Sequence, residues 1–250
     1  MIQNILQLNQ DKTEFFVFAN TRTLPTLADL ELRLGDLTIP ASNSIKNLGV
    51  TLDGSLTMSH HVSSLCKTIN YHIRNLWRIR RFITQDACHH AVRGLVLSRL
   101  DYANSLLFGA RDFDLKRLQR LQNKAARLVF ACGRDQPSAS LLEDLHWLPV
   151  KQRIAFKMLT IIYKCLHAQA PSYLIQLLNA NVPASHRHRL RSSSDLTRLS
   201  IPRSKKKAGD NSFSVAAARL WNELPVDLRE AESMSVFKGF LKTFLFPDLS

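Results

Sequence analysis

The chain has 250 residues, 45% hydrophobic and 8% aromatic, and its 34 Lys and Arg against 20 Asp and Glu give a formal net charge of +14. Such a length and composition suit a globular protein of one large or two modest domains with a real core. So large a basic excess points first to a polyanionic partner, nucleic acid above all, with a basic surface of no consequence as the alternative.

Four cysteines, Cys66, Cys88, Cys132 and Cys165, stand far apart, which excludes a disulfide framework and a ribbon-type zinc site. Each falls where a helical pattern wants a small apolar residue, so they read as reduced core thiols. The N-terminus lacks the basic-then-apolar layout of a signal peptide, and "IAFKMLTIIYKCL" is interrupted by Lys157 and Lys164. The expectation is an intracellular protein, nuclear or cytoplasmic, with no membrane partner and with its oligomeric state left open.

Residues 1–53 read as strands. "EFFVF" (14–18) is a short aromatic and β-branched run behind a polar turn, and "LELRLGDLTI" alternates around Gly35-Asp36 as a hairpin. "SIKNLGVTLD" (44–53) follows as one more strand, with Gly49 where a side chain would be in the way.

From about Met58 the period becomes helical. Val62, Leu65, Cys66, Ile69, Ile73, Leu76 and Trp77 mark one face of a first helix, with Lys67, Arg74, Arg78 and Arg81 on the other side. Thr84 is an N-cap opening "QDACHHAVRGLVLSRLDYANSLL". Asp112 or Asp114 caps the next helix, in which Leu115, Leu118, Leu121, Ala125, Leu128 and Val129 face inward. Lys116, Arg117, Arg120, Lys124 and Arg127 face outward, and Gly133 stops it. Another helix starts after Trp147-Leu148 with Pro149 at its first position, and Pro171 starts a short one.

Residues 183–207 carry eight Lys and Arg and one Asp, which reads as a basic loop with one strand at "LTRLSIP". "SFSVAAARLWNELP" and "SVFKGFLKTFLF" then form two short amphipathic helices. Phe237, Phe240, Leu241, Phe244 and Leu245 are expected to dock on the helical body.

No catalytic or metal site emerges. His60-His61, Cys88-His89-His90 and His186-Arg187-His188 lack paired zinc spacing, and no nucleophile elbow or phosphate-binding glycine loop occurs. Two-metal phosphoryl chemistry needs clustered carboxylates, and the candidates Asp11, Glu14, Asp53 and Asp101 include no adjacent pair.

"LNQDKTEFFVF", "NLGVTLDGSLTMSHHVSSLCK", "LVLSRLDYANSLLFG", "LKRLQRLQNKAARLVF", "LHWLPVKQRIAFKML", "APSYL", "LRSSSD" and "FSVAAARLWNELP" with "FKGFLKTFLF" follow one another in that order. This order resembles the C-terminal part of the reverse transcriptase, the RNA-directed DNA polymerase, of LINE-type non-LTR retrotransposons of the jockey-like group. The resemblance implies that residues 1–53 are the end of a polymerase palm sheet, whose catalytic aspartates would lie before Met1. It implies that the strand at Phe15–Phe18 has lost its sheet partners. Residues 54–180 would be a thumb-like helical domain, 181–212 a basic loop and 213–250 a C-terminal helical extension.

The fold class expected is mainly α with a small N-terminal β region. Two functions are carried forward. One is a truncated, inactive polymerase remnant that binds RNA or an RNA–DNA hybrid without regard to sequence, needing no cofactor (Mg²⁺ only in the intact polymerase). The other is a free-standing helical module that binds nucleic acid or protein. Candidate nucleic-acid contacts are Lys67, Arg74, Arg78, Arg81, Lys116, Arg120, Lys124 and Arg127, then Arg187, Arg189, Arg191, Lys205, Lys206 and Lys207 in the loop.

Overall fold

A computed structural model describes residues 9, 12–19, 22–27, 29–35, 37–179, 198–204 and 207–246. They belong to two compact units, residues 1–65 and 66–250.

The first unit holds the strands. β1 (Phe15–Phe16) runs parallel to β3 (Leu37–Ser42), which also pairs antiparallel with β2 (Glu31–Leu34), in the order β1-β3-β2. Phe15 is opposite Ala41 and Phe16 opposite Ser42, so this strand has a partner within the chain, contrary to the expectation that it had lost its sheet. The β2–β3 hairpin forms as its alternation suggests, although every residue of β2 is exposed.

"SIKNLGVTLD" is two strands rather than one. β4 (Ser44–Asn47) and β5 (Val50–Asp53) pair through a two-residue turn in which Leu48 and Gly49 have φ of 46° and 82°. Positive φ at both central positions matches the twist of the flanking strands, so Gly49 serves the turn and not a close approach. The close approach is at Gly54, where a Cβ would sit 2.7 Å from Leu24 Cδ2 and 3.1 Å from the Val17 carbonyl oxygen.

Asp53 then organises the entry to α1 (Ser59–Ile79). Its carboxylate accepts from the Thr57 amide at 2.9 Å, the Thr57 hydroxyl at 3.1 Å and the Ser55 hydroxyl at 3.0 Å. Burial alone would raise the Asp53 pKa, but these hydrogen bonds outweigh it and hold the value below the ordinary one.

The second unit is helical. α1 ends in a 3₁₀ turn (Arg80–Phe82), and Arg80 reaches across to the end of α4 (Asp112–Phe130). Its Nε donates to the Leu128 carbonyl at 2.8 Å, its Nη2 to the Val129 carbonyl at 2.9 Å and its Nη1 to the Ile83 carbonyl at 3.0 Å. Thr84 caps α2 (Gln85–Val92), as its sequence position suggests, by accepting from the Ala87 amide at 3.2 Å. The helix does not continue to Leu107, however. It passes through a π turn (Arg93–Leu97) into α3 (Ser98–Asp101), and after Tyr102 a separate 3₁₀ turn (Asn104–Leu107) follows.

Neither Asp112 nor Asp114 caps α4: Arg111 holds that position, with no side-chain cap bond. Asp114 is instead buried in the first turn, 3.3 Å from both Arg111 Nε and Arg117 Nη1. Its charge there favours the positive end of the helix dipole. α4 stops at Ala131, not Gly133: Ala131 takes φ of 52°, and the Cys132 amide bonds back to the Arg127 carbonyl at 3.1 Å. That is the Schellman arrangement, made without glycine. His146 and Ala168 repeat it after α5 (Ser138–Asp144) and α6 (Val150–Leu166).

α6 is the central helix. Pro149 is its N-cap, one position earlier than expected, and Gln119 of α4 accepts from the Val150 amide at 2.8 Å. Buried Gln122 of α4 donates to the Leu148 carbonyl at 2.9 Å. The other side of α6 packs on α7 (Ser172–Asn179), α9 (Phe213–Asn222) and α11 (Met234–Leu245). Buried Ala217 and Ala218 belong to this core. The short helices α8 (Lys207–Asp210) and α10 (Val226–Arg229) flank α9.

Tyr163 stacks on Phe237 at 4.4 Å and donates its hydroxyl to the Ala231 carbonyl at 2.8 Å. Phe237 and Leu241 are fully buried and Leu245 packs on the cluster, whereas Phe240 and Phe244 are exposed. The helical spacing of four joins 237, 241 and 245 in one stripe and turns the other pair aside.

The described part of "LTRLSIP" forms no strand. There the Asn222 amide replaces a strand partner, accepting from the Leu199 amide and donating to the Leu199 carbonyl, both at 2.8 Å.

Asp53 makes the N-terminal unit acid-sensitive. Because its folded-state pKa is lowered, its stabilisation is present above the ordinary carboxylate value of about 3.9 and is lost as the pH falls through the folded value. Amide exchange at Thr57 should accelerate on going from pH 5 to pH 3 beyond the intrinsic trend. In Asp53→Asn it should be faster at pH 5 and change less; an unchanged profile would refute this role.

Candidate nucleic-acid interface

The residues expected to contact nucleic acid divide by what else they touch. On α1, Lys67, Arg74 and Arg78 are exposed and lie at spacings of seven and four. Such spacings place side chains on one helix face. Arg81 is exposed in the following 3₁₀ turn, its guanidinium carbon 4.6 Å from the centroid of the Phe82 ring. On α4, Lys116, Arg120 and Lys124 are exposed at successive spacings of four. Among the described residues none of these seven is in an ion pair.

Arg127 departs from its row. It is half-buried, with Nη2 donating to the Gln136 carbonyl at 3.3 Å and Nε buried without a partner. Its position fastens the loop after α4 and takes it out of the exposed stripe. Arg117, read as outward-facing, is engaged with Asp114.

The loop candidates Arg187, Arg189, Arg191, Lys205 and Lys206 lie outside the described residues, as does the side chain of Lys207, whose backbone opens α8.

The acidic candidates for metal chemistry are separated. Asp53 serves the β5–α1 loop, Asp101 pairs with Arg153 at 2.7 Å, Glu14 is exposed, and Asp11 lies outside the described residues. Among the described residues no three His, Cys, Asp or Glu side chains are gathered to hold a metal ion. No described helix is long and apolar enough to cross a membrane. Cys66, Cys88 and Cys165 are buried, which pushes their thiol pKa values up. They sit in the core as read, with Cys132 half-buried.

Sequence reasoning missed the inward role of Arg80 and a groove edged by Arg93, Arg153, Lys157 and Lys242. Arg80 stands between Arg78 and Arg81 in a basic run, so only its phase, pointing back toward the core side, distinguishes it. Arg153 and Asp101 are 52 residues apart, and nothing local connects them.

The chain is 26% identical over 141 residues to the probable RNA-directed DNA polymerase from transposon X-element of Drosophila melanogaster. The match covers 55% of this chain and 15% of that protein's length. The likeness supports a reverse-transcriptase-related origin. No family model and no solved structure matches.

The two kinds of basic residue should separate in a stability experiment. Gln at Lys116, Arg120 or Lys124 should move the urea midpoint by no more than about 0.5 kcal/mol each. Arg117→Gln takes one of two guanidinium partners from buried Asp114 and should cost about 2 kcal/mol. Equal effects at all four positions would mean that the exposed row has structural partners.

Proposed function

We propose that this chain is part of a jockey-like, LINE-type retrotransposon reverse transcriptase and supplies a sequence-independent grip on RNA or RNA–DNA hybrid, without catalysis of its own. The observation that carries the reading is the pair of exposed, unpaired basic rows, Lys67, Arg74 and Arg78 with Arg81, and Lys116, Arg120 and Lys124. Nothing inside the described protein neutralises them. Rows of cations at helical spacing follow a phosphate backbone, and phosphate contacts fix position without reading bases. The relative's printed activity, RNA-directed DNA polymerase, makes nucleic acid the natural polyanion.

In this reading residues 1–53 are the end of a palm, 54–180 a thumb-like block, 181–212 a basic loop and 213–250 a helical extension. The metal-binding aspartates of a polymerase, and the Mg²⁺ they hold, then belong to a part of the enzyme outside this chain. The chain is a truncated remnant on this view. One observation favours the free-standing module instead: the pairing of β1 with β3, which leaves that strand needing no outside sheet.

With roughly five phosphates engaged, the log of affinity for an RNA–DNA hybrid should fall against log salt with a slope of about −4. Replacing Lys116, Arg120 and Lys124 by Gln should flatten the slope by about two units, whereas Arg127→Gln should leave it nearly unchanged. A triple variant with its affinity and slope intact would overturn the proposed interface. A wild-type chain with no salt-dependent affinity would favour a protein-binding module.

Template-directed incorporation should stay at background with Mg²⁺ or Mn²⁺ present. Chelator-sensitive synthesis above background would refute the non-catalytic reading.

A further inference from the structure

Apart from both basic rows, the second unit has a groove where the π turn and α3 meet the start of α6 and one side of α11. It consists of two adjoining hollows of about 480 and 380 Å³, which share Asp101, His146, Arg153 and Lys242. The first adds His89, Arg93 and Trp147, and the second adds Asn104, Phe156 and Lys157. No residue of the two rows lines either hollow. Each volume lies within the roughly 300–1,000 Å³ of small-molecule sites.

The charges in the groove do not cancel. Asp101 is the one carboxylate among its lining residues, and Arg153 already holds it through Nη1 at 2.8 and 2.7 Å. Arg153 is itself fixed by donating Nε to the Leu148 carbonyl at 2.9 Å. Arg93, Lys157 and Lys242 have no carboxylate partner among the described residues. Cations converging on a concave wall suit an anion, since each charge-assisted hydrogen bond to it also relieves their repulsion.

The hollow beside Asn104 differs. Leu148 and Phe156 give it an apolar wall, and into that wall is set Asn104, 3% exposed, whose Oδ1 is buried with no donor among the described residues. Leaving such an acceptor unmade costs about 1–3 kcal/mol, so it marks a place for a donor from outside the chain. In the first hollow His89 Nε2 is likewise buried and unpartnered. The wall also contains the π turn, closed by the Ser98 amide to the Arg93 carbonyl, a distortion found often at functional sites.

We propose that this groove binds a nucleotide, its phosphate among Arg93, His146 and Lys242 and its base against Leu148 and Phe156. An exocyclic amine of the base donates to Asn104 Oδ1. The nucleotide is either free or the end of a strand; the chemistry is the same, and the site does not depend on the basic rows.

Calorimetry on the full chain tests this with adenosine 5′-monophosphate and with a short single-stranded RNA beginning in adenosine, bearing a 5′-phosphate or a 5′-hydroxyl. At least one phosphorylated probe should bind. Binding of the monophosphate identifies a nucleotide site, and binding of the phosphorylated RNA alone identifies a strand-end site. In either case Arg93→Gln with Lys242→Gln should weaken it about tenfold or more. Lys116→Gln with Arg120→Gln and Lys124→Gln should change binding of the monophosphate less than about twofold. Purine riboside 5′-monophosphate, or RNA beginning in that nucleoside, lacks the amine and should bind about tenfold more weakly. Lys157→Gln, with circular dichroism matching the wild type, provides a second variant that should weaken binding. The proposal is overturned if neither phosphorylated probe binds, if the groove variants bind as the wild type does, or if removing the amine has no effect. Loss of the hybrid salt slope in the row variant with nucleotide binding intact would separate the two sites.

Discussion

The helical unit depends on one guanidinium. Arg80 stands where α1 gives out, and its donors meet the Leu128 and Val129 carbonyls at the end of α4 and the Ile83 carbonyl just before α2. Terminal carbonyls of a helix have no partner of their own and carry its partial negative charge, so a cation placed there satisfies both needs. The buried Cys88 thiol adds a long contact to Leu128 at 3.7 Å. Three elements are thus fastened through a single planar group. Lysine could not reproduce this, because its one ammonium lacks the fixed fork.

The same division of labour runs through the basic residues. Arg80, Arg117 and Arg153 turn inward to carbonyls or carboxylates. Lys67, Lys116 and Lys124 remain exposed. A surplus of positive charge is therefore not one property of the chain. Part of it joins helices, and only the remainder can meet an outside anion. Counting all the basic residues overstates the surface available to a phosphate backbone, and Arg127 is the example within a row that otherwise faces water.

Helix existence and core phase were legible in the sequence because spacings of three and four are local. Val62, Ile69 and Ile73 on α1, Leu118, Leu121 and Leu128 on α4, and Ile154, Met158 and Ile162 on α6 are all buried as their periodicity requires. Helix ends were less legible, because alanine at 131 and 168 and histidine at 146 adopt a conformation usually given to glycine. Tertiary contacts hold them there, and no propensity reports it. The hairpin at Leu48-Gly49 was missed for a related reason: a "LG" pair is a weak turn signal beside "NG" or "DG". Of the candidate interface, the exposed rows could be read from helical phase. The groove could not, since Asp101, Arg153 and Lys242 are brought together only by packing.

The π turn at Arg93–Leu97 makes the chain's count of residues matter. A π turn holds one residue more than the α-helical turn it replaces, and each residue rotates a helix by about 100°. Loss of a single residue here, such as exposed Gly94 with open space around its Cα, would let the turn relax to α-helical winding. Everything after it would then be re-phased, and Asp101 would swing away from Arg153 by about a quarter of a turn or more. A one-codon deletion that leaves the hydrophobic composition untouched would thereby remove a long-range ion pair. Substitutions at the same position would leave the winding alone, so this stretch should accept changes of identity far more readily than changes of length.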